Sequence, residues 1–221
     1  GPAFSIAPSE WILSAQLVAP LLALSLLPLE KIPRLSSLSE VTRASKTISL
    51  YAFGTRLAPL RTLVAGTILA ASAAVFEELA FRGALMGATQ KLLAVCSLSP
   101  RLAVSGAICT QALVFGVLHS YTASRAYFIA ATVAGAAFGG AFAWSRNLAV
   151  PVLMHFVLDL VAFGFCHVQV SRASEAEQRG LLDDSSPIAR ALRLTFAPPA
   201  REAEASQPAA AVRALGERPP P

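Results

Sequence analysis

Apolar runs of membrane length dominate the chain. A helix needs about 20 mostly apolar residues to cross a bilayer. Residues 11–29 (WILSAQLVAPLLALSLLPL) carry no charge, although Pro20 and Pro28 are positioned to kink or end a helix there. Residues 62–76 are uncharged, and apolar character continues past a polar interruption to residue 98. Residues 102–124 and 126–145 are again uncharged, the second rich in Gly and Ala, as close helix packing in lipid favours. Residues 147–171 close the series with His155, Asp159 and His167 among apolar neighbours. The pattern predicts an all-α, polytopic membrane bundle of about five spans.

Between the first two runs, residues 31–61 hold Lys31, Arg34, Arg43, Lys46, Arg56 and Arg61. This reads as a basic loop, with an interfacial helix around 38–53. The organisation is then an N-terminal segment with the first span (1–30), the basic loop (31–61), a membrane core (62–170) and a tail (171–221). The tail is rich in Ala, Pro, Arg and Glu, lacks sustained apolar periodicity, and is expected to be mostly disordered. No internal repeat is visible.

Composition agrees with a membrane protein. The 221 residues are 55% hydrophobic and 14% charged, where soluble domains average about 25% charged. Residues 171–221 hold seven Arg and seven Asp/Glu, so the net charge of +5 lies in the other 170 residues. That excess sits near span ends and reads as topology signal. It puts loop 31–61 and the C-terminus on the cytoplasmic (or stromal) side, with Lys91, Arg101 and Arg146 opposite. No basic run is interleaved with aromatics, so nucleic acid is not an expected partner; the bilayer is. Cys96, Cys109 and Cys166 form neither a disulfide framework nor a zinc-type spacing.

Ionisable residues inside spans are costly and mark functional sites by default. The stretch A-V-F-E-E-L-A-F-R-G-A (74–84) places Glu77, Glu78 and Arg82 in an apolar run. Glu78 and Arg82 are i and i+4, share a helix face and can pair. Arg82 neutralises one carboxylate, which leaves Glu77 less compensated and suited to general-base work. The alternative is a buried ion pair that locks two helices. Phe115 and His119 lie one helical turn apart, and so do His155 and Asp159. Such a His–Asp pair can hold a tautomer, bind a metal or present a donor to an oxyanion; it can also simply join helices. Two Glu, two His and an Asp are together the parts needed to activate water and stabilise a tetrahedral oxyanion. Depth is the difficulty. If 62–80 and 102–118 were plain antiparallel spans, Glu77 and His119 would lie near opposite membrane faces. A long or bent helix over 62–98 removes the conflict.

The ordered motifs E-E-x-x-x-R (Glu77 to Arg82), F-x-x-x-H (Phe115 to His119) and H-x-x-x-D (His155 to Asp159) resemble those of the CPBP family. This family comprises intramembrane CAAX proteases and bacteriocin-processing enzymes, also called the abortive-infection family. Gly83 and the segment S-R-N-L-A-V-P (145–151) add to the resemblance, which spans residues 60–165. It implies an all-α bundle enclosing a polar intramembrane cavity, and an endopeptidase cutting near the membrane surface. Its substrate would be a membrane-associated peptide or a prenylated protein. It also implies Glu77 as general base, His119 as water-holding residue, and His155 and Asp159 at the oxyanion site. Glu78, Arg82 and Phe115 would support them. Asp159 stands where prenyl endopeptidases carry Asn, so it must be protonated, orient His155 or bind metal; that favours the broader family. A Zn²⁺ on His119 and His155 with a carboxylate is one option; a metal-free glutamate mechanism is preferred. The rival functions are a non-catalytic membrane adaptor or chaperone on the same fold, and a proton-coupled transporter. Plastid, endoplasmic reticulum and bacterial inner membrane all fit; the Pro/Ala-rich tail and the first residue, Gly1, favour a processed protein of a eukaryotic organelle.

Overall fold

A computed structural model describes residues 4–120, 125–183, 188–190 and 192. Helices α1 (Pro8–Leu26), α2 (Ser39–Phe53), α3 (Pro59–Glu78), α4 (Met86–Val95), α5 (Pro100–His119), α6 (Arg125–Ser145), α7 (Ala149–Arg172) and α8 (Glu175–Leu181) account for most of them. A π-helical segment, Leu79–Leu85, joins α3 to α4 without a break, giving one helix from Pro59 to Val95. No β-strand occurs among the described residues.

Five helices are long and apolar enough to span a bilayer: α1, the 37-residue Pro59–Val95 helix, α5, α6 and α7. Their outward faces carry large apolar side chains, with Leu60 74%, Phe76 73% and Val95 82% exposed. In water that would be an aggregation surface; around a membrane bundle it is the lipid-facing wall. The protein is an integral, multi-pass membrane protein.

The chain's punctuation sets the helix ends. Pro59 and Pro100 open α3 and α5 at a position where a missing N–H costs nothing. The Ser99 hydroxyl accepts from the Leu102 N–H, a standard N-cap. Gly54, at φ 88°, ends α2 in the left-handed region that glycine tolerates. At the start of α7, the Asn147 carboxamide accepts from the N–H groups of Ala149 and Ser5 and donates to the Ser5 carbonyl. This ties the N-terminal segment to the α6–α7 turn.

Lipid gives no hydrophobic drive for helices to associate, so close approach of small residues must do it. α5 packs along α6, and α7 packs along both α3 and α1. A Cβ on Gly135 would come within 3.2 Å of the Ala112 Cα, and one on Gly66 within 3.6 Å of Leu160. The Gly/Ala-rich α6 is thus the small-residue packing helix that its sequence predicts.

The tail starts in order. α8 opens on a Ser174–Glu177 capping box, and these hydrogen bonds to Ser174 hold the Glu177 carboxyl below its ordinary range. The Arg43 guanidinium of α2 donates to the Gly180 carbonyl at 2.9 Å. Residues 184–187, 191 and 193–221, which include most of the stretch expected to be disordered, lie outside the described residues.

Candidate active site

The depth conflict is removed by the long helix. At about 1.5 Å per residue, Pro59–Val95 runs roughly 55 Å, well beyond the roughly 30 Å hydrocarbon core. Glu77 falls near its midpoint. α5 folds back beside it from Pro100, and its last residue, His119, reaches the level of Glu77.

The polar residues divide into an inner network and an outer pair. In the inner network Glu78 and Arg82 have no solvent exposure. Arg82 Nη1 donates to Glu78 Oε1 at 2.8 Å. Its Nη2 donates to the Gly135 carbonyl of α6 at 3.0 Å. That carbonyl, with two lone pairs available, also accepts from Gln111 Nε2 at 2.9 Å. Glu78 Oε1 in turn accepts from His155 Nδ1 at 2.9 Å. One network therefore links the π segment, α5, α6 and α7. Rings wall it: the Arg82 guanidinium carbon lies 5.1 Å from the Phe115 ring centre and 5.3 Å from that of Phe138, cation–π distances. Phe138 also stacks on His155 at 5.2 Å. The π segment carries Arg82 into this position, and such segments recur where a helix re-aims functional side chains.

The outer pair is Glu77 and His119, whose side chains are 32% and 24% exposed. His119 Nδ1 lies 2.8 Å from the Phe115 carbonyl. A carbonyl only accepts, so Nδ1 carries a proton and Nε2 is the ring nitrogen turned outward. Nε2 stands 4.0 Å from Glu77 Oε2, an oxygen with no hydrogen-bond partner in the protein. That gap is too long for a direct bond and short enough for one water to bond both atoms. Phe115 holds the imidazole at 4.2 Å between ring centres, and Tyr127 lies parallel beyond it at 6.3 Å.

His155 and Asp159 connect the two sets. His155 Nε2 is 3.4 Å from Asp159 Oδ2, and Asp159 is 28% exposed. With Nδ1 bonded to Glu78, a bare lone pair at Nε2 would face a carboxylate, so a proton belongs between Nε2 and Oδ2. Glu77 lies within electrostatic reach of His155, His119, Asp159 and Glu78.

The motif residues thus gather into one site. His167 does not join them: buried between α2 and α3, its Nε2 accepts from the Ala58 N–H at 3.1 Å, and its ring packs edge-on against Phe53. Sequence reasoning missed Gln111, Gly135, Phe138 and Tyr127. Gln111 was the findable one, a fully buried amide in a span; a search limited to ionisable groups passes over it.

Zinc does not fit these donors. A catalytic zinc takes three protein ligands at about 2.0–2.2 Å. Both His155 nitrogens are already directed at carboxylates, and His119 offers only Nε2. Among the described residues no group of three His, Cys, Asp or Glu side chains is arranged to hold a metal.

Comparison with known proteins agrees with the motifs. Residues 59–161 match the family described as type II CAAX prenyl endopeptidase Rce1-like. Over these residues the membrane core is similar to the CAAX-protease family. The match runs from the first residue of α3 through Asp159 and includes every motif residue named above. Neither the comparison with curated proteins nor that with solved structures yields a match. At the level of that family, the similarity points to an intramembrane endopeptidase.

Proposed function

We propose that this protein hydrolyses a peptide bond near the bilayer surface with a water activated by Glu77 and His119, without metal. The observation that carries the reading is the 4.0 Å separation of Glu77 Oε2 and His119 Nε2, with the His119 tautomer fixed by Phe115. A water between them is oriented by His119 Nε2 and loses its proton to Glu77. The hydroxide adds to the scissile carbonyl carbon. Negative charge develops on the carbonyl oxygen, and the His155–Asp159 pair, which shares a proton, donates to it as the charge forms. Collapse breaks the C–N bond, and the proton taken by Glu77 passes to the leaving nitrogen. The products are a carboxylate and an amine. This arrangement also gives Asp159 a role where Asn would be an ordinary amide donor: the acid shares a proton with His155.

The family description points to the C-terminal processing of prenylated proteins as the substrate class. Two experiments test this. Purified enzyme in lipid should cleave a prenylated C-terminal peptide and leave the unprenylated peptide intact; equal cleavage of both removes the prenyl requirement. Cells carrying Glu77→Gln should accumulate uncleaved membrane-associated precursors. A wild-type phenotype for both Glu77→Gln and His119→Ala favours the non-catalytic adaptor instead.

A further inference from the structure

A cavity of about 780 Å³ opens between the π segment, α4, the start of α5 and the end of α6. Glu77, His119, His155 and Asp159 do not line it. Its walls include Met86, Val104 and Phe142, and its charged residues are Arg82, Lys91 and Arg146, with no carboxylate. Arg82 is committed to Glu78 and Gly135. Lys91 makes no hydrogen bond or ion pair among the described residues. Arg146 ends α6 in a left-handed conformation (φ 54°). Its Nε donates to the Ala143 carbonyl at 3.1 Å, which leaves its terminal nitrogens unpartnered there.

Two uncompensated cations beside hydrocarbon walls select an anion that carries apolar chains. The position fits the bilayer interface. Trp144, two residues before Arg146, is 72% exposed, and tryptophans belt membranes at headgroup level. Leu92 and Leu102, on the flanking helices, are 64% and 60% exposed, as lipid contact requires. Basic pockets between spanning helices recognise anionic headgroups.

We propose that this cavity binds one anionic phospholipid, its phosphate between Lys91 and Arg146 and an acyl chain along Met86, Val104 and Phe142. Because Arg82 forms its inner wall, the lipid braces the outer side of the network that holds His155. The proposal stands apart from the hydrolytic reading.

The test is lipid titration of the purified full chain in detergent, read by native mass spectrometry. At about one unit of interaction energy per surface cation, phosphatidylglycerol should bind about thirtyfold tighter than phosphatidylcholine. Lys91→Gln should lower that preference about fivefold, and Lys91→Gln with Arg146→Gln should nearly abolish it. Lys31→Gln with Arg34→Gln, at the other end of the bundle, should leave it intact, as should Glu77→Gln. A preference that survives the Lys91/Arg146 double variant overturns the site. So does equal competition by inorganic phosphate, which would leave the apolar walls no part, or by a prenylated peptide, which would assign the cavity to substrate. If the double variant does not fold, the exposed Lys91→Gln decides alone, and an unchanged preference there is equally fatal.

Discussion

Glu77 and Glu78 are adjacent in sequence, and the bundle treats them in opposite ways. Glu78 has no solvent exposure; its Oε1 accepts from both Arg82 and His155, while its Oε2, like Glu77 Oε2, has no protein partner. Glu77 is 32% exposed, and its inward oxygen has no protein partner. The difference follows from helix geometry, since consecutive residues lie about 100° apart round the axis. One face of the long helix meets α6 and α7, the other the space beneath His119. A carboxylate paired with a cation in a dry network has little freedom to take a proton from water. Its partly exposed neighbour, facing His119 and paired with no cation, keeps that freedom. The inner region therefore reads as architecture and the outer as chemistry.

The sharpest break in this division is Arg82→Met. It strands Glu78 without its cation in a dry interior, at a cost of about 3–5 kcal/mol. Both thermal stability in detergent and activity should collapse. Glu78→Leu together with Arg82→Met leaves no orphaned charge and should recover much of the stability, as removal of both members of a buried pair often does. A double variant as unstable as the single would mean that packing, not charge, dominates there.

His119→Gln probes the outer side. It should lower kcat by about 10²–10⁴-fold, the usual worth of a positioned proton-handling group, with the unfolding midpoint unmoved. A stability loss comparable with that of Arg82→Met would erase the distinction between the regions.

Gly135→Ala sits on the boundary. Its Cβ would press on the Ala112 backbone and on Phe115, moving both the carbonyl that anchors Arg82 and the ring that holds His119. Overpacking of this kind costs about 1–3 kcal/mol, and here activity should fall with stability. Stability lost with activity retained would separate the two regions more cleanly than the geometry does.

The smallest expected effect is that of zinc removal. Prolonged chelation should leave both cleavage rate and midpoint unchanged; a loss of both that zinc restores would place a metal in the outer site.

Much of this was legible in the chain. The apolar runs marked the spans, and the i,i+4 spacing of Glu78 and Arg82 predicted their ion pair, because contacts within one helix follow from its period. What joins helices was harder to see. Glu78 and His155 stand 77 positions apart, and no local rule pairs them. The meeting of Glu77 and His119 depends on a helix longer than the membrane core is thick, which charge-free run lengths hinted at without fixing. Gly135 contributes only a backbone oxygen, which no side-chain pattern encodes. Its position in a Gly/Ala helix signalled packing and concealed its polar role.

The central claim, that Glu77 does the chemistry while Glu78 holds the frame, reduces to one paired measurement. Peptide cleavage and thermal unfolding should be recorded on the same detergent-purified samples of wild type, Glu77→Gln and Glu78→Gln. Glu77→Gln should lose cleavage by at least about 10²-fold at an unchanged midpoint, whereas Glu78→Gln should lose stability first. Full cleavage by Glu77→Gln, or a midpoint that falls as far as that of Glu78→Gln, would contradict the account.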